Sequence, residues 1–169
     1  NAALALAKIA SQPGRAADMA FPEAGVLAEL VGLCNRSSDP KVVHSAVSAL
    51  HSICCRVECS LFMADTGIMA ALGRLYKAPE HADIKRQIEE AAVKLAMCAD
   101  LVQALAGGGT VVALVGACTG GAEGNANAGE MFEIATALRN VASQERGRAA
   151  LIAEGGVLPL LRVLKRSEM

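Results

Sequence analysis

Two short patterns recur along this chain at nearly the same interval, and an interval of that size is the mark of a stacked repeat. Ala5-Leu6-Ala7-Lys8-Ile9-Ala10, Ala49-Leu50-His51-Ser52-Ile53-Cys54, Ala91-Ala92-Val93-Lys94-Leu95-Ala96 and Ala137-Leu138-Arg139-Asn140-Val141-Ala142 follow one another at 44, 42 and 46 residues. A second set opens with glycine and runs apolar: Gly25-Val26-Leu27, Gly67-Ile68-Met69, Gly109-Thr110-Val111 and Gly156-Val157-Leu158, at 42, 42 and 47 residues. The distance from glycine to the next Ala-Leu marker is 24, 24 and then 28 residues, while the return distance stays between 18 and 20. Four extra residues therefore fall in one interval. That interval contains Thr119 to Gly129, a Gly/Asn/Ala-rich run that predicts an enlarged loop over 119–129.

Each period predicts a short helix, a glycine break, a second helix and a longer third helix. Gly155-Gly156 ends one helix, since glycine enters the left-handed conformation without steric cost. Pro159 then falls in the first turn of the next, where the missing N–H costs little. Asp39-Pro40 and Pro79 mark the joint between second and third helices. In the third helices, Val43, Ala46, Val47, Leu50, Ile53 and Cys54 recur at three- and four-residue steps, as do Met131, Ile134, Ala135, Leu138, Val141 and Ala142. These stripes are expected to face the core. In the middle period Lys85 and Glu89 interrupt the pattern, although Ile84, Ile88, Ala92 and Leu95 still supply a stripe, so its third helix is expected to be rotated or partly exposed.

The ending Ala137-Leu138-Arg139-Asn140-Val141-Ala142 and the opening Ala153-Glu154-Gly155-Gly156-Val157-Leu158-Pro159-Leu160-Leu161 resemble the armadillo repeat consensus, and the likeness runs the length of the chain. HEAT repeats are the nearest competitor, but they usually lack the three-helix period and the glycine before the second helix. The resemblance implies an all-α, right-handed α-solenoid of three-helix repeats forming a single domain over 1–169. Residues 1–11 would be the third helix of a truncated repeat, 12–55, 56–98 and 99–143 three repeats, and 144–169 a partial one. Neither end carries a polar capping helix, and a stack needs caps to hide its terminal faces, so a longer solenoid is expected.

Composition narrows the partners. Sixteen basic residues stand against 17 acidic ones, a net charge of −1, which leaves no field to gather phosphate backbones or anionic lipid. No segment reaches the roughly 18 uncharged apolar residues of a membrane span. Cys34, Cys54, Cys55, Cys59, Cys98 and Cys118 sit within apolar helical patterns without framework spacing, which reads as small core residues in a reducing, intracellular, cytoplasmic setting, a cytoskeletal or ciliary one included. His51, Cys54, Cys55 and Cys59 match no compact zinc spacing, and the glycine-rich run lacks a Gly-Lys-Ser/Thr element and follows a helix. No metal, cofactor or catalytic constellation is expected.

The remaining surface is the side of each third helix turned away from the core. In a stack with this geometry those sides form a concave ladder, and i, i+4 spacing writes it as His44, Ser48 and Ser52; Arg86, Glu90 and Lys94; Phe132, Thr136 and Asn140. Family members that read nuclear-import signals carry Trp and Asn there. This chain has no Trp, and the Asn position holds Lys8, Ser52, Lys94 and Asn140, so that role is not expected. Nor is the strongly basic groove of other members, because Glu90 interrupts the cations. The expected function is a non-enzymatic scaffold or adaptor holding an extended segment or a helix of a partner protein. The alternatives are a structural spacer in a large cytoskeletal or ciliary assembly and the recognition arm of a multidomain enzyme such as a ubiquitin ligase.

Overall fold

The computed structural model describes residues 2–10, 12, 15, 25–55, 63, 66–98, 101–102, 109–120 and 126–167. Most of the first helices expected in the three central units, the core of the loop at 121–125 and Cys59 lie outside the described residues. Among those described, regular structure is entirely helical. The helices are α1 (Ala2–Ala10), α2 (Val26–Arg36), α3 (Pro40–Cys54), α4 (Ile68–Lys77), α5 (Lys85–Met97), α6 (Val111–Gly120), α7 (Ala128–Ser143), α8 (Glu145–Ala153) and α9 (Val157–Ser167), with a 3-10 segment, Pro79–Ile84, leading into α5.

These helices stack in two tracks. Third helices α1, α3, α5 and α7 pack each on the next, and second helices α2, α4, α6 and α9 do the same alongside. The tracks meet through α2 on α3, α4 on α5 and α6 on α7. One apolar core runs between them, with Leu30, Leu50, Ile53, Ile68, Leu72, Leu75, Ile88, Leu95 and Leu114 sealed from solvent. Small residues set the close approach: Ala46, Ala49, Ala91, Ala92, Ala96, Ala113 and Ala137 are all fully buried.

Local chemistry explains the joints. Asp39 caps α3, its side chain accepting from the Lys41 N–H at 2.9 Å, and Pro40 follows at the first helical position. Asn127 and Glu130 form a reciprocal capping box at the start of α7. This box, together with α6 running on to Gly120, shortens the loop expected over 119–129: Thr119, Gly120, Ala128 and Gly129 are helical.

Among the described residues the left-handed glycines are Gly25, Gly67, Gly109 and Gly155. The last shifts the repeat marker by one residue, because Gly155 and not Gly156 is the counterpart of Gly25, Gly67 and Gly109. Gly155 N–H donates to Ile152 and Gly156 N–H to Leu151, a double bond pattern that closes α8 with Gly155 as the left-handed residue. Two of these turn glycines also lie against the unit before them, since a β-carbon on Gly67 would sit 3.9 Å from Val31 Cγ1 and one on Gly109 3.9 Å from Gly73 Cα.

Two expectations about third helices change. Ala135 is exposed, because α7 turns Ile134, Ala137, Leu138 and Val141 inward and leaves the residue beside Ile134 outside. α5 is neither rotated nor loosened: Ile84, Ile88, Ala91, Ala92 and Leu95 are buried. Its polar interruptions are accommodated by Tyr76, whose Oη donates to Glu89 Oε1 at 2.6 Å while Lys85 Nζ lies 5.3 Å from the ring centre.

The cysteines also divide. Cys34, Cys54 and Cys118 are buried, and burial pushes the Cys34 and Cys118 thiols up to about 11. Cys55 is exposed and so is not a core residue, while Cys98 is half-buried and packs against the edge of the core.

Candidate functional site

Side by side, α3, α5 and α7 leave a groove of about 630 Å³. Its floor is apolar, made by Val93, Ala117 and Ile134, and its walls carry Glu89, Glu90, Glu130 and Glu133 against Arg86 and Lys94, with His51 and Cys55 at one end. Gly120 and Ala126 line the other side, so both flanks of the enlarged interval reach the groove.

Ion pairs span it. Arg86 Nε lies 3.0 Å from Glu90 within α5, and its Nη2 lies 3.6 Å from Glu130 on α7. Lys94 Nζ pairs with Glu133 across the same two helices. His51 Nε2 on α3 lies 3.1 Å from Glu90 Oε2. One strip of carboxylates and cations thus joins three successive third helices.

Glu89 is held differently. Its carboxyl faces Tyr76, and space for the phenol exists because position 116 on α6 is glycine; a β-carbon there would collide with Tyr76 Oη and lie 2.7 Å from Cζ. Desolvation raises the Glu89 pKa above the ordinary carboxylate value, outweighing the Tyr76 hydrogen bond and the nearby Arg86 and Lys85, which lower it. A carboxyl whose pKa rises on folding favours the native state below the unfolded pKa and withdraws that contribution as pH climbs through the folded value. Urea midpoints measured from pH 4 to pH 7 are therefore expected to move in favour of Glu89→Gln relative to the parent as pH rises; parallel profiles would remove this account.

Of the ladder residues, Arg86, Glu90 and Lys94 line the groove. The other six do not. His44 Nδ1 pairs with Asp83 at 3.3 Å, near the start of α5. Ser52 Oγ donates back to the Ser48 carbonyl at 2.9 Å, so both belong to their own helix. Phe132 is 70% exposed and Thr136 half-buried. Asn140 donates both amide hydrogens, to the Ala96 and Met97 carbonyls at 3.0 and 3.1 Å, and so caps the end of α5 from the following unit. Arg74 does the same on the second track, donating to the Cys34 carbonyl and to Asn35 Oδ1, each at 2.7 Å.

Sequence reasoning missed His51, Glu89, Glu130 and Glu133. On α7 the groove-facing residues lie on the flank of the core stripe, about one residue's rotation from the ladder of Phe132, Thr136 and Asn140. The available signal was charge, since carboxylates on α7 recur beside Ile134 while α5 supplies cations at matching heights.

No family model and no curated protein matches the sequence. The fold does match solved structures. An engineered protein superposes with a TM-score of 0.69 at 29% identity, over 95% of this chain and 63% of its own. A designed armadillo repeat protein in complex with the peptide (KR)4 gives a TM-score of 0.69 at 25% identity, over 97% and 66%. Computationally designed armadillo repeat proteins for modular peptide recognition give 0.68 at 24% identity, over 97% and 70%, a likeness of fold alone. The chain spans just under two thirds of the length of the first two.

Proposed function

From its fold as an armadillo-like repeat solenoid, we propose that this chain is a non-enzymatic scaffold that holds a segment of a partner protein in the groove between α3, α5 and α7. The groove itself carries the proposal: an apolar floor between walls of charge suits an extended segment or a helix, with side chains anchored below and backbone or charges met at the rim. The designed protein that binds a peptide supports the reading by analogy of fold. Buried thiols at Cys34, Cys54 and Cys118 suit a reducing intracellular setting.

A second reading, a longer solenoid serving as a structural spacer in a cytoskeletal or ciliary assembly, draws on the face of α9. Counted from the left-handed glycines, Val157 stands where Leu27, Met69 and Val111 stand, and those three are 5, 3 and 2% exposed against 50% for Val157. Leu161, 52% exposed, holds the place of Val31 and Gly73, each of which faces the next unit's turn. A further unit stacked on α9 would cover both.

Random peptides displayed on phage and selected on the chain separate the two readings. Selected peptides are expected to change about tenfold or more in affinity, in either direction, when Glu90→Lys and Glu133→Lys are combined, and not at all when exposed Ala70 on α4 becomes lysine. Peptides indifferent to the groove pair but displaced by Leu161→Glu would sink the scaffold reading and favour the spacer.

A further inference from the structure

Resting on the groove reading, we propose that the partner segment carries lysine or arginine and that Arg86 and Lys94 are resident counter-cations holding the place of its side chains in the unbound protein. The chain as a whole is nearly neutral, at −1, yet four carboxylates and two cations line this one groove. The apolar floor beneath them fits the stem of a long cationic side chain, whose methylenes lie on Val93, Ala117 or Ile134 while the head reaches the rim.

The resident pairs have the geometry of placeholders. Arg86 is 67% exposed and shared between Glu90 and Glu130, which sit on different helices, so its guanidinium bridges the groove instead of bracing one wall. Lys94 reaches over to Glu133 in the same way. Glu90 keeps a second partner in His51 on α3. The Arg86 pairs are exposed and contribute little to stability, so an incoming cation that also buries its stem replaces them at small cost, while Lys94 and Glu133, 31 and 33% exposed, form the more sheltered pair. An acidic segment would meet Glu89, Glu90, Glu130 and Glu133 at close range, and like charges juxtaposed in an interface are strongly unfavourable.

A consequence runs against the usual effect of trimming a groove residue: deleting a resident cation strengthens binding. Fluorescence anisotropy with labelled octapeptides alternating lysine with serine, or glutamate with serine, tests it on the whole chain, with Arg86→Gln and Lys94→Gln beside the parent and circular dichroism to verify folding. The parent is expected to bind the lysine peptide in preference to the glutamate peptide. Each variant is expected to bind it roughly two- to fivefold more tightly at low salt, the gain shrinking as salt screens the carboxylates. Equal or weaker binding of the lysine peptide by Arg86→Gln overturns the proposal. So does preference for the glutamate peptide, or failure of both peptides to bind, whereas the groove reading itself stands or falls separately on the phage-selected peptides.

Discussion

Gly147→Ala is expected to lower stability by about 3 kcal/mol or more and to release α8 and α9 from the stack while α3 to α6 stay folded. Gly147 is buried in the first turn of α8, and a β-carbon there would fall well inside contact distance of the Val141 carbonyl oxygen, with Val141 C and Cγ1 each at 2.9 Å. Two of those three atoms are backbone, in a helix whose Val141 side chain is fully buried, so the obstruction cannot swing aside. The turn is also tied from the other side, because Arg148 Nη1 donates to the Ala142 and Ser143 carbonyls at 2.9 and 3.2 Å. Alanine's better helix propensity returns only about 1 kcal/mol. The loss should be local because each unit of a solenoid rests on its neighbours alone. Hydrogen exchange would show amides of α8 and α9 opening early in the variant while those of α5 keep their protection; a parent-like exchange pattern and urea midpoint would refute the steric account.

Ile88→Ala should have the opposite signature, a loss of about 2 to 5 kcal/mol spread over the whole stack. Ile88 is fully buried on α5, the helix that touches α3 before it, α7 after it and both α4 and α6 beside it. Its neighbours on the helix, Ala91 and Ala92, are too small to fill the vacated space, and Ile84 and Leu95 are themselves sealed in the core. A cavity there interrupts both tracks at their middle. The urea midpoint should fall with a single transition retained, while Ala135→Ser, at an exposed position of α7, should stay within about 0.5 kcal/mol of the parent. A loss below about 1 kcal/mol at Ile88 would mean that the centre of the stack repacks freely, contrary to the close approach of its alanines.

Much of the architecture is legible without coordinates because it repeats. The period, the glycine breaks and the stripes on α3 and α7 follow from local backbone preference and helical spacing, and each is sampled several times in one chain. The errors lie where two units meet. The pattern Gly156-Val157-Leu158 sets the repeat marker one residue late: the cap that closes α8 makes Gly155 the counterpart of Gly109, and the step between them becomes 46 residues, the same as between the Ala-Leu markers of α5 and α7. Glu89 looked like a flaw in the α5 stripe; Tyr76 on α4 and the gap at Gly116 on α6 make it a bonded wall residue.

The candidate site divides along the same line. Arg86, Glu90 and Lys94 could be placed in the groove from i, i+4 spacing, since spacing along one helix is a local property. Glu130, Glu133 and His51 could not, and Asn140 could not be recognised as the cap of α5, because those assignments depend on how far each third helix is turned against its neighbour. The sequence alone determined that this chain stacks helices in a repeating order and most of the stripe that each third helix buries, Ala135 excepted. Only the tertiary structure decided which charges face one another across the groove, because the rotation of one helix against the next is set by side chains about 40 residues apart meeting in the core.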